Sequence, residues 1–338
     1  MAETVPLAAE PRSGDVCSRL RESMPSRPSL LLGVALMVLA LLSALAGARP
    51  TAQATLNGLA AGSYLGLGAI GLTLIAGILR IVNFAQGDLL VTGTYLTILF
   101  GGLGAPMPLA MLAGILGTAV VALGTEMLIW RPLRESGAGT LQLFLSAIGL
   151  AFVLRYTIQF FGGSQVRSLN LDVVSSVTLG PLRLGTQQAG ALVVGLAAMA
   201  ITGGVLRYTA LGKDMRAFAD NPSLAEVSGI DTRWIITITW IGAGLLAGLA
   251  GLLYAASIGS INPNFGATLL LGLFAAAILG GIGNAYGALV GGLVIGLSQE
   301  WATLLVNARW KPAVGFAILI LTLLFMPNGI FGRVRRRS

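Results

Sequence analysis

The chain has 338 residues, of which 55% are hydrophobic and only 10% are charged, and its formal net charge is +8. Because an ordinary soluble domain carries roughly 25% charged residues, this composition excludes a soluble globular enzyme, a disordered chain and a fibrous protein. The mean hydropathy of +0.86 leaves one class, an all-α, polytopic transmembrane helical bundle.

Ten apolar segments follow a polar N-terminal tail, residues 1–28. A complete crossing takes about 20 residues, and four of the ten segments are clearly shorter. We therefore expect eight to ten spans, with tilted, broken or partial crossings among the short segments. The connection 162–187 alternates β-branched residues and predicts a small hairpin. The ten segments are 29–48, 56–79, 89–103, 108–130, 140–161, 188–206, 235–258, 265–279, 284–300 and 313–327.

The distribution of Lys and Arg predicts the topology. Starting in the cytoplasm and crossing ten times puts 15 Lys and Arg inside and five outside, as the positive-inside rule requires. Both termini, including the basic tail 333–338, are therefore predicted in the cytoplasm. The segment 29–48 is interpreted as an extra N-terminal span. A cleaved signal peptide is the alternative, because a basic region and an apolar core precede Ala46-Gly47-Ala48.

A polar run, residues 83–88 with the sequence NFAQGD, separates two apolar segments. Polar backbone at membrane depth is tolerated only inside the protein or beside water. One hypothesis is therefore a broken or re-entrant element near a translocation path. The other is an ordinary cytoplasmic turn in which Asn83 or Asp88 caps a helix. Composition alone does not decide between them.

The connection 207–234 is the longest charged one. Asn221 suits an N-cap, Pro222 the first helical position and Gly229 the position after a helix, so we predict a short helix over 222–228 outside the membrane. Apolar residues on this hairpin suggest that it docks to a partner. A solvated connector lying on its own bundle is the alternative. The apolar residues are Met215, Phe218, Leu224 and Val227.

Little in the sequence predicts chemistry. Glu126, Arg155 and Glu300 lie near segment ends or turns; we expect Arg155 to snorkel, and three scattered charges do not form a proton relay. With no histidine and one cysteine, Cys17, a metal site, a disulfide framework and a Ser-His-Asp triad are not expected. Without a G-x-x-x-x-G-K-[ST] loop, any ATP that powers the protein would be bound by another chain.

Four spaced motifs lie between residues 55 and 332. The first is Leu56–Tyr64 with Gly77-Ile78-Leu79 and the run 83–88. The second runs from Arg216-Ala217 through Asn221-Pro222, Ala225 and Gly229-Ile230, and Gly248-Leu249-Ala250-Gly251 follows it. The third is Gly280-Gly281-Ile282-Gly283-Asn284 with Gly287 and Gly291-Gly292, and the fourth is Met326–Phe331. Together they resemble the permeases of branched-chain amino-acid ABC importers, whose first motif usually reads NGL…GS…YGI…INFAHGD.

The resemblance implies a permease subunit of a bacterial inner membrane, not an enzyme, that carries branched-chain or related amino acids by alternating access. The implied partners are a second homologous permease subunit, two cytoplasmic ATP-binding subunits, an extracytoplasmic solute-binding protein, the small-molecule substrate and the lipid bilayer, with no nucleic acid and no cofactor. The residues expected to shape the path or its gate are Asn83, Gln86 and Asp88. Those expected to couple to the ATPase, within 207–234, are Arg216, Ala217, Asp220, Asn221, Leu224, Ala225, Glu226 and Gly229.

Two residues bear on the substrate. Gln86 stands where the family most often has His, which removes a titratable group. Asp88 favours amino acids over urea or short amides, because the urea-type permeases of this class more often have Glu at the end of the first motif. A stand-alone channel or secondary carrier is the alternative from another class, but a proton-coupled carrier needs deep paired carboxylates or His. Which amino acid is carried, and whether two permeases pair as a homodimer or a heterodimer, stays open.

Overall fold

The computed structural model describes residues 37–331 apart from 39, 170, 172–174, 181 and 327. The tails predicted at 1–28 and 333–338 lie outside the described residues, as does the first part of the segment 29–48. Within that segment, residues 40–46 are helical.

Twelve α-helices make up most of the described chain. They are α1 (Ala48–Leu79), α2 (Gln86–Gly102), α3 (Met107–Thr125), α4 (Arg131–Glu135), α5 (Thr140–Gly162), α6 (Thr186–Tyr208), α7 (Ala210–Asp220), α8 (Pro222–Val227), α9 (Thr232–Ile258), α10 (Phe265–Gly280), α11 (Ala285–Ala302) and α12 (Lys311–Phe325). A π-helical turn, Glu126–Trp130, joins α3 to α4, and a 3-10 turn, Ala308–Trp310, precedes α12. Strands β1 (Ser176–Leu179) and β2 (Leu182–Gly185) form an antiparallel hairpin.

The all-α prediction is confirmed. Nine helices of at least 15 residues in the described chain correspond to nine of the ten predicted segments. Six helical stretches are long and apolar enough to cross a membrane, by length and composition. The hairpin expected within 162–187 is present, with Ser176 opposite Gly185 and Leu179 opposite Leu182. The protein is therefore a polytopic helical membrane protein.

The bundle consists of two halves of one design. Long helices α1 and α9 pack against each other at the centre, and each leads through a six-residue loop, 80–85 or 259–264, into a short helix, α2 or α10. Helix α2 packs on α3, α5 and α9, whereas α10 packs on α11, α12 and α1. Each contact in the first half therefore has a counterpart in the second, as in the internal repeats of many transporters.

Glycines let the central helices touch through their backbones. A Cβ on Gly62 of α1 would lie 2.7 Å from the Cα of Leu293 on α11, and a Cβ on Gly292 would lie 2.3 Å from the Cα of Gly66. In lipid, helices associate through such close packing because the hydrophobic effect does not drive them together. These glycines are therefore packing residues.

Candidate functional site

The polar run 83–88 forms a buried re-entrant turn before α2. Asn83 Oδ1 accepts a hydrogen bond from the Ala85 backbone N–H (3.1 Å), and the Asn83 carbonyl accepts one from the Gln86 N–H (3.3 Å). The Gln86 amide lies against Gly71, eight residues before the end of α1, or about 12 Å along that helix. Helix α2 thus begins inside the protein, which favours the re-entrant hypothesis. Asn83 stabilises the turn before the helix, whose N-cap residue is Ala85.

The same turn recurs before α10. Asn262 Oδ1 accepts from the Asn264 N–H (2.9 Å), and the Asn262 carbonyl accepts from the Phe265 N–H (3.2 Å). In both turns a glycine, Gly87 or Gly266, follows the asparagine by four residues. The shared pattern Asn-x-x-x-Gly was the available signal for this second turn, which the sequence predictions missed.

The two turns meet where α2 and α10 begin. A Cβ on Gly87 would lie 2.3 Å from the Gly266 carbonyl oxygen, and a Cβ on Gly266 would lie 2.3 Å from the Gly87 carbonyl oxygen. Only glycine allows this approach, since real Cβ contacts are far longer. The N-terminal ends of two short helices therefore form one junction inside the bundle, an arrangement that transporters use at their substrate sites.

A buried ion pair lies beside this junction. Arg155 of α5 donates from Nε to Asp88 Oδ1 (2.9 Å) and from Nη2 to Asp88 Oδ2 (3.1 Å). The Asp88 side chain is 1% exposed and that of Arg155 is 17% exposed. The prediction that Arg155 snorkels is wrong: its guanidinium turns into the bundle, because neutralising a buried carboxylate is more favourable than leaving it unpaired.

Polar side chains continue from the ion pair along one surface. One helical turn beyond Arg155, Gln159 Nε2 donates to Asn264 Oδ1 (3.2 Å), and Asn264 is hydrogen-bonded through its backbone to Asn262. Both asparagines are exposed. We call Arg155, Gln159, Asn262 and Asn264 the polar stripe; it joins the ion pair to the second re-entrant turn.

The other ionisable residues singled out in the sequence are also paired. Arg134 makes a two-bond contact with Glu126, and Lys311 pairs with Glu300. Within the described residues no three His, Cys, Asp or Glu side chains cluster as metal ligands would. Each pair lies on its own part of the bundle, so the three acidic sites do not form a chain of proton carriers.

The short helix predicted over 222–228 is present as α8. Asn221 Oδ1 accepts from the Leu224 N–H (3.1 Å) and so caps the helix. At the other end Gly229 has φ +85°, and the Ile230 N–H donates to the Ala225 carbonyl (3.0 Å). Glycine favours that left-handed conformation, which explains why local sequence signals located this helix well.

The apolar surface of the hairpin divides into two parts. Met215 and Phe218 are buried, so the prediction that they add to an exposed docking surface is wrong; they pack inward instead. Leu224 is 62% exposed and Val227 is 88% exposed. The inward part is one cluster, called here the anchor cluster, which ties α7 and α8 to the ends of α1 and α9. Its members are Ile78, Met215, Phe218, Ala225 and Ile235.

Most of the predicted coupling residues lie on the outer surface of this hairpin. The exposed ones are Arg216, Ala217, Asp220, Asn221, Leu224, Glu226 and Gly229, whereas Ala225 is buried. Arg216 also donates to the Leu206 carbonyl, which satisfies a free acceptor at the end of α6. The loop therefore exposes most of the predicted coupling residues, and the anchor cluster packs beneath them.

A family model described as "Branched-chain amino acid transport system / permease component" matches residues 54–323. The chain belongs to this permease family. It is 32% identical over 296 residues to LivH, a high-affinity branched-chain amino acid transport system permease protein of Salmonella typhimurium, with 83% of this chain and 95% of LivH covered. It is also 32% identical over 295 residues to BraD, the permease protein of the same description in Pseudomonas aeruginosa, with the same coverage.

Among solved structures, PsaBC from Streptococcus pneumoniae in complex with an Fab aligns with a TM-score of 0.46 and 11% identity, over 84% of this chain and 94% of that one. The family resemblance in the sequence is confirmed by the family model and the two curated relatives. The predictions of a transport permease and of a multi-pass protein of the inner membrane agree with this family and with the six membrane-length helices.

At the junction of α2 and α10, one buried polar group has no hydrogen-bond partner among the described residues. Gln86 Oε1 accepts from Asn83 Nδ2 (3.4 Å), but Gln86 Nε2 has no hydrogen-bond partner among the described residues. The side chain is fully buried, and an unsatisfied buried donor costs about 1–3 kcal/mol. The junction therefore contains one buried donor on α2, next to α1, that the described residues leave unsatisfied.

Proposed function

We propose that this chain is the membrane-spanning permease subunit of an ATP-driven ABC importer, and that it carries branched-chain or related amino acids inward by alternating access. One observation carries the proposal. The exposed helix α8 is fixed through the anchor cluster to α1 and α9, and these two helices lead directly into the re-entrant turns. Since the chain has no phosphate-binding loop, motion derived from ATP would enter at this surface.

The junction is the gate in this proposal. Asn83, Gln86 and Asp88 are fully buried and lie in the turn and the first residues of α2, next to the contact of Gly87 with Gly266 of α10. Asn83, Gln86 and Asp88 therefore shape the path by controlling where α2 and α10 meet.

The coupling surface is the outer face of α7 and α8. Leu224 and Val227 are its apolar anchors, because exposed aliphatic side chains on a capped helix suit a cleft in a partner protein. Glu226 adds a charge that a basic residue of the ATPase would pair with. Ala225 packs into the anchor cluster beneath the helix. The remaining surface residues around these anchors are Arg216, Ala217, Asp220, Asn221 and Gly229.

The proposed assembly contains two homologous permease subunits, two cytoplasmic ATP-binding subunits and an extracytoplasmic solute-binding protein in the inner membrane. The function of LivH and BraD, branched-chain amino acid transport, supports amino acids over urea and short amides as substrates. Both termini of this chain lie in the cytoplasm in the proposed orientation, which puts α7 and α8 on the ATPase side.

Reconstitution tests the proposal. In liposomes the chain alone should neither hydrolyse ATP nor accumulate leucine against a gradient. Reconstituted with the ATPase subunits and the binding protein encoded beside it, the chain should accumulate leucine when ATP is supplied on the side of the membrane that carries the ATPases. Urea in excess should not compete. Accumulation by the chain alone, driven by an ion gradient, would show a secondary carrier instead.

A further inference from the structure

The Arg155 guanidinium has one unused edge. Nε and Nη2 are engaged by Asp88, but Nη1 has no hydrogen-bond partner among the described residues. The ring of Phe152 lies 5.7 Å from Arg155 Cζ and covers one face of the guanidinium. Asp88 therefore binds one edge of the guanidinium and Phe152 lies against one face. The remaining N–H donors point away from Asp88.

The exposed part of Arg155 does not suit lipid. A guanidinium facing hydrocarbon is strongly unfavourable, and charged residues within membrane helices face protein or a water-filled cavity. The polar stripe extends this polar surface past Gln159 to the exposed Asn264 and Asn262. The neighbouring exposed face of α5, with Phe152, Val153 and Tyr156, is apolar, so the aqueous route runs along the polar stripe itself toward the turn before α10.

We infer that Arg155 recognises the substrate carboxylate: its free Nη1 edge binds the α-carboxylate of the transported amino acid. Gln159 Oε1, which has no partner among the described residues, accepts a hydrogen bond from the α-ammonium group. Arg155 and Gln159 are one turn apart on one helix face, with Cβ atoms about 5–6 Å apart, so both side chains can reach one amino acid. This inference rests on the proposed function and names the chemical group that the path selects.

Asp88 has a different role in this scheme. Both of its oxygens are engaged and its side chain is 1% exposed, so it cannot contact a substrate in this conformation. Asp88 is the positioning residue that orients the guanidinium fork, which is rigid and suited to carboxylates. A urea or amide substrate lacks the carboxylate and gains nothing from Arg155, so this residue separates the two substrate classes.

The test uses the complete transporter in lipid nanodiscs and liposomes. The variants are Arg155→Gln, the double variant Asp88→Asn with Arg155→Gln, and Arg183→Gln as the matched control on the exposed hairpin. The double variant removes both charges, so it leaves no lone buried charge and should assemble even where the single variant does not. Assembly is checked by co-purification of the ATPase subunits and by ATP hydrolysis stimulated by the binding protein.

Two measurements follow. The first is binding of radiolabelled leucine to the permease–ATPase complex without binding protein, competed by unlabelled leucine or leucinamide. The second is ATP-driven leucine uptake with the binding protein present. We expect the wild type and Arg183→Gln to prefer leucine over leucinamide by about tenfold or more, as loss of a charged hydrogen bond predicts. Arg155→Gln and the double variant should lose this preference and most of their maximal uptake, with an unchanged half-saturating concentration of loaded binding protein.

Two results would overturn the inference. One is a double variant that retains wild-type uptake and preference, which would make the ion pair a purely structural link between α2 and α5. The other is a wild-type transporter that takes up leucine but whose complex shows no preference for leucine over leucinamide. A wild-type complex that takes up no amino acid at all would instead refute the proposed function.

Discussion

Gly87 and Gly266 touch backbone to backbone, each with its carbonyl oxygen only 2.3 Å from the place that a Cβ of the other would take. They begin the two short helices of the repeat, so the contact joins one half of the bundle to the other. Because no side chain separates them, the distance between α2 and α10 is set by two peptide groups.

Replacement of Gly87 by Ala should push α2 and α10 apart. The obstructing atoms are backbone and cannot rotate away, so we expect a loss of about 1–3 kcal/mol of stability, as overpacked sites show, together with reduced uptake. The measurement is the thermal unfolding midpoint of the detergent-purified protein. Gly149→Ala is the matched control, since a Cβ there meets nothing within 4 Å. Equal midpoints for the two variants would contradict the importance of the contact.

Loss of Asp88 alone should be worse than loss of the whole ion pair. Asp88→Asn leaves the Arg155 charge unpaired beside a buried junction, and breaking a buried pair in this way costs about 3–5 kcal/mol. The double variant with Arg155→Gln should recover most of that loss. A double-mutant cycle of unfolding midpoints measures the coupling. Additive effects of the two single variants would mean that the side chains do not interact.

Leu224→Asp should uncouple the permease from its ATPase. The side chain is 62% exposed, so the variant should fold and insert normally. Because a docking interface depends on a few apolar anchors, the change should weaken ATPase binding by about 2 kcal/mol or more and abolish ATP-driven uptake. Co-purification and uptake are the measurements. Ser223→Asp adds the same charge on the same helix and should retain both; full uptake by Leu224→Asp would favour the solvated-connector alternative.

Cysteine labelling tests the orientation of the bundle. In a Cys17→Ser background, a cysteine at Ser168, on the exposed connection between α5 and β1, should react with an impermeant maleimide added outside. A cysteine at Ser223 should react only after the membrane is opened. Both positions are exposed, so accessibility within the protein does not limit the reaction. The opposite labelling pattern would invert the topology and rule out α8 as a cytoplasmic coupling helix.

The sequence predicted features that depend on neighbouring residues. Hydropathy located the membrane helices, and Asn221, Pro222 and Gly229 located α8 to within one residue, because caps act over a single turn. The polar run 83–88 was recognised because it interrupts apolar segments. Such signals act over a few residues and do not depend on the rest of the fold.

Features that depend on distant contacts were not predicted. Asp88 and Arg155 are 67 residues apart, and nothing on α5 alone distinguishes a paired arginine from a snorkelling one. The turn at Asn262 also separates two apolar segments, 235–258 and 265–279, but only the contact between Gly87 and Gly266 joins it to the turn at Asn83. Met215 and Phe218 are apolar in a charged loop, and only the ends of α1 and α9 explain why they are buried.

The anchor cluster packs the hairpin of α7 and α8 against both central helices. Ile78 lies near the end of α1 and Ile235 near the start of α9, and both pack on the same side chains of α7 and α8. In the proposed importer, a displacement of this hairpin would therefore act on one helix from each half of the repeat. The cluster lies beside the turn 80–85 at the end of α1 but at the opposite end of α9 from the turn 259–264, so one docking event would reach the two turns from different distances.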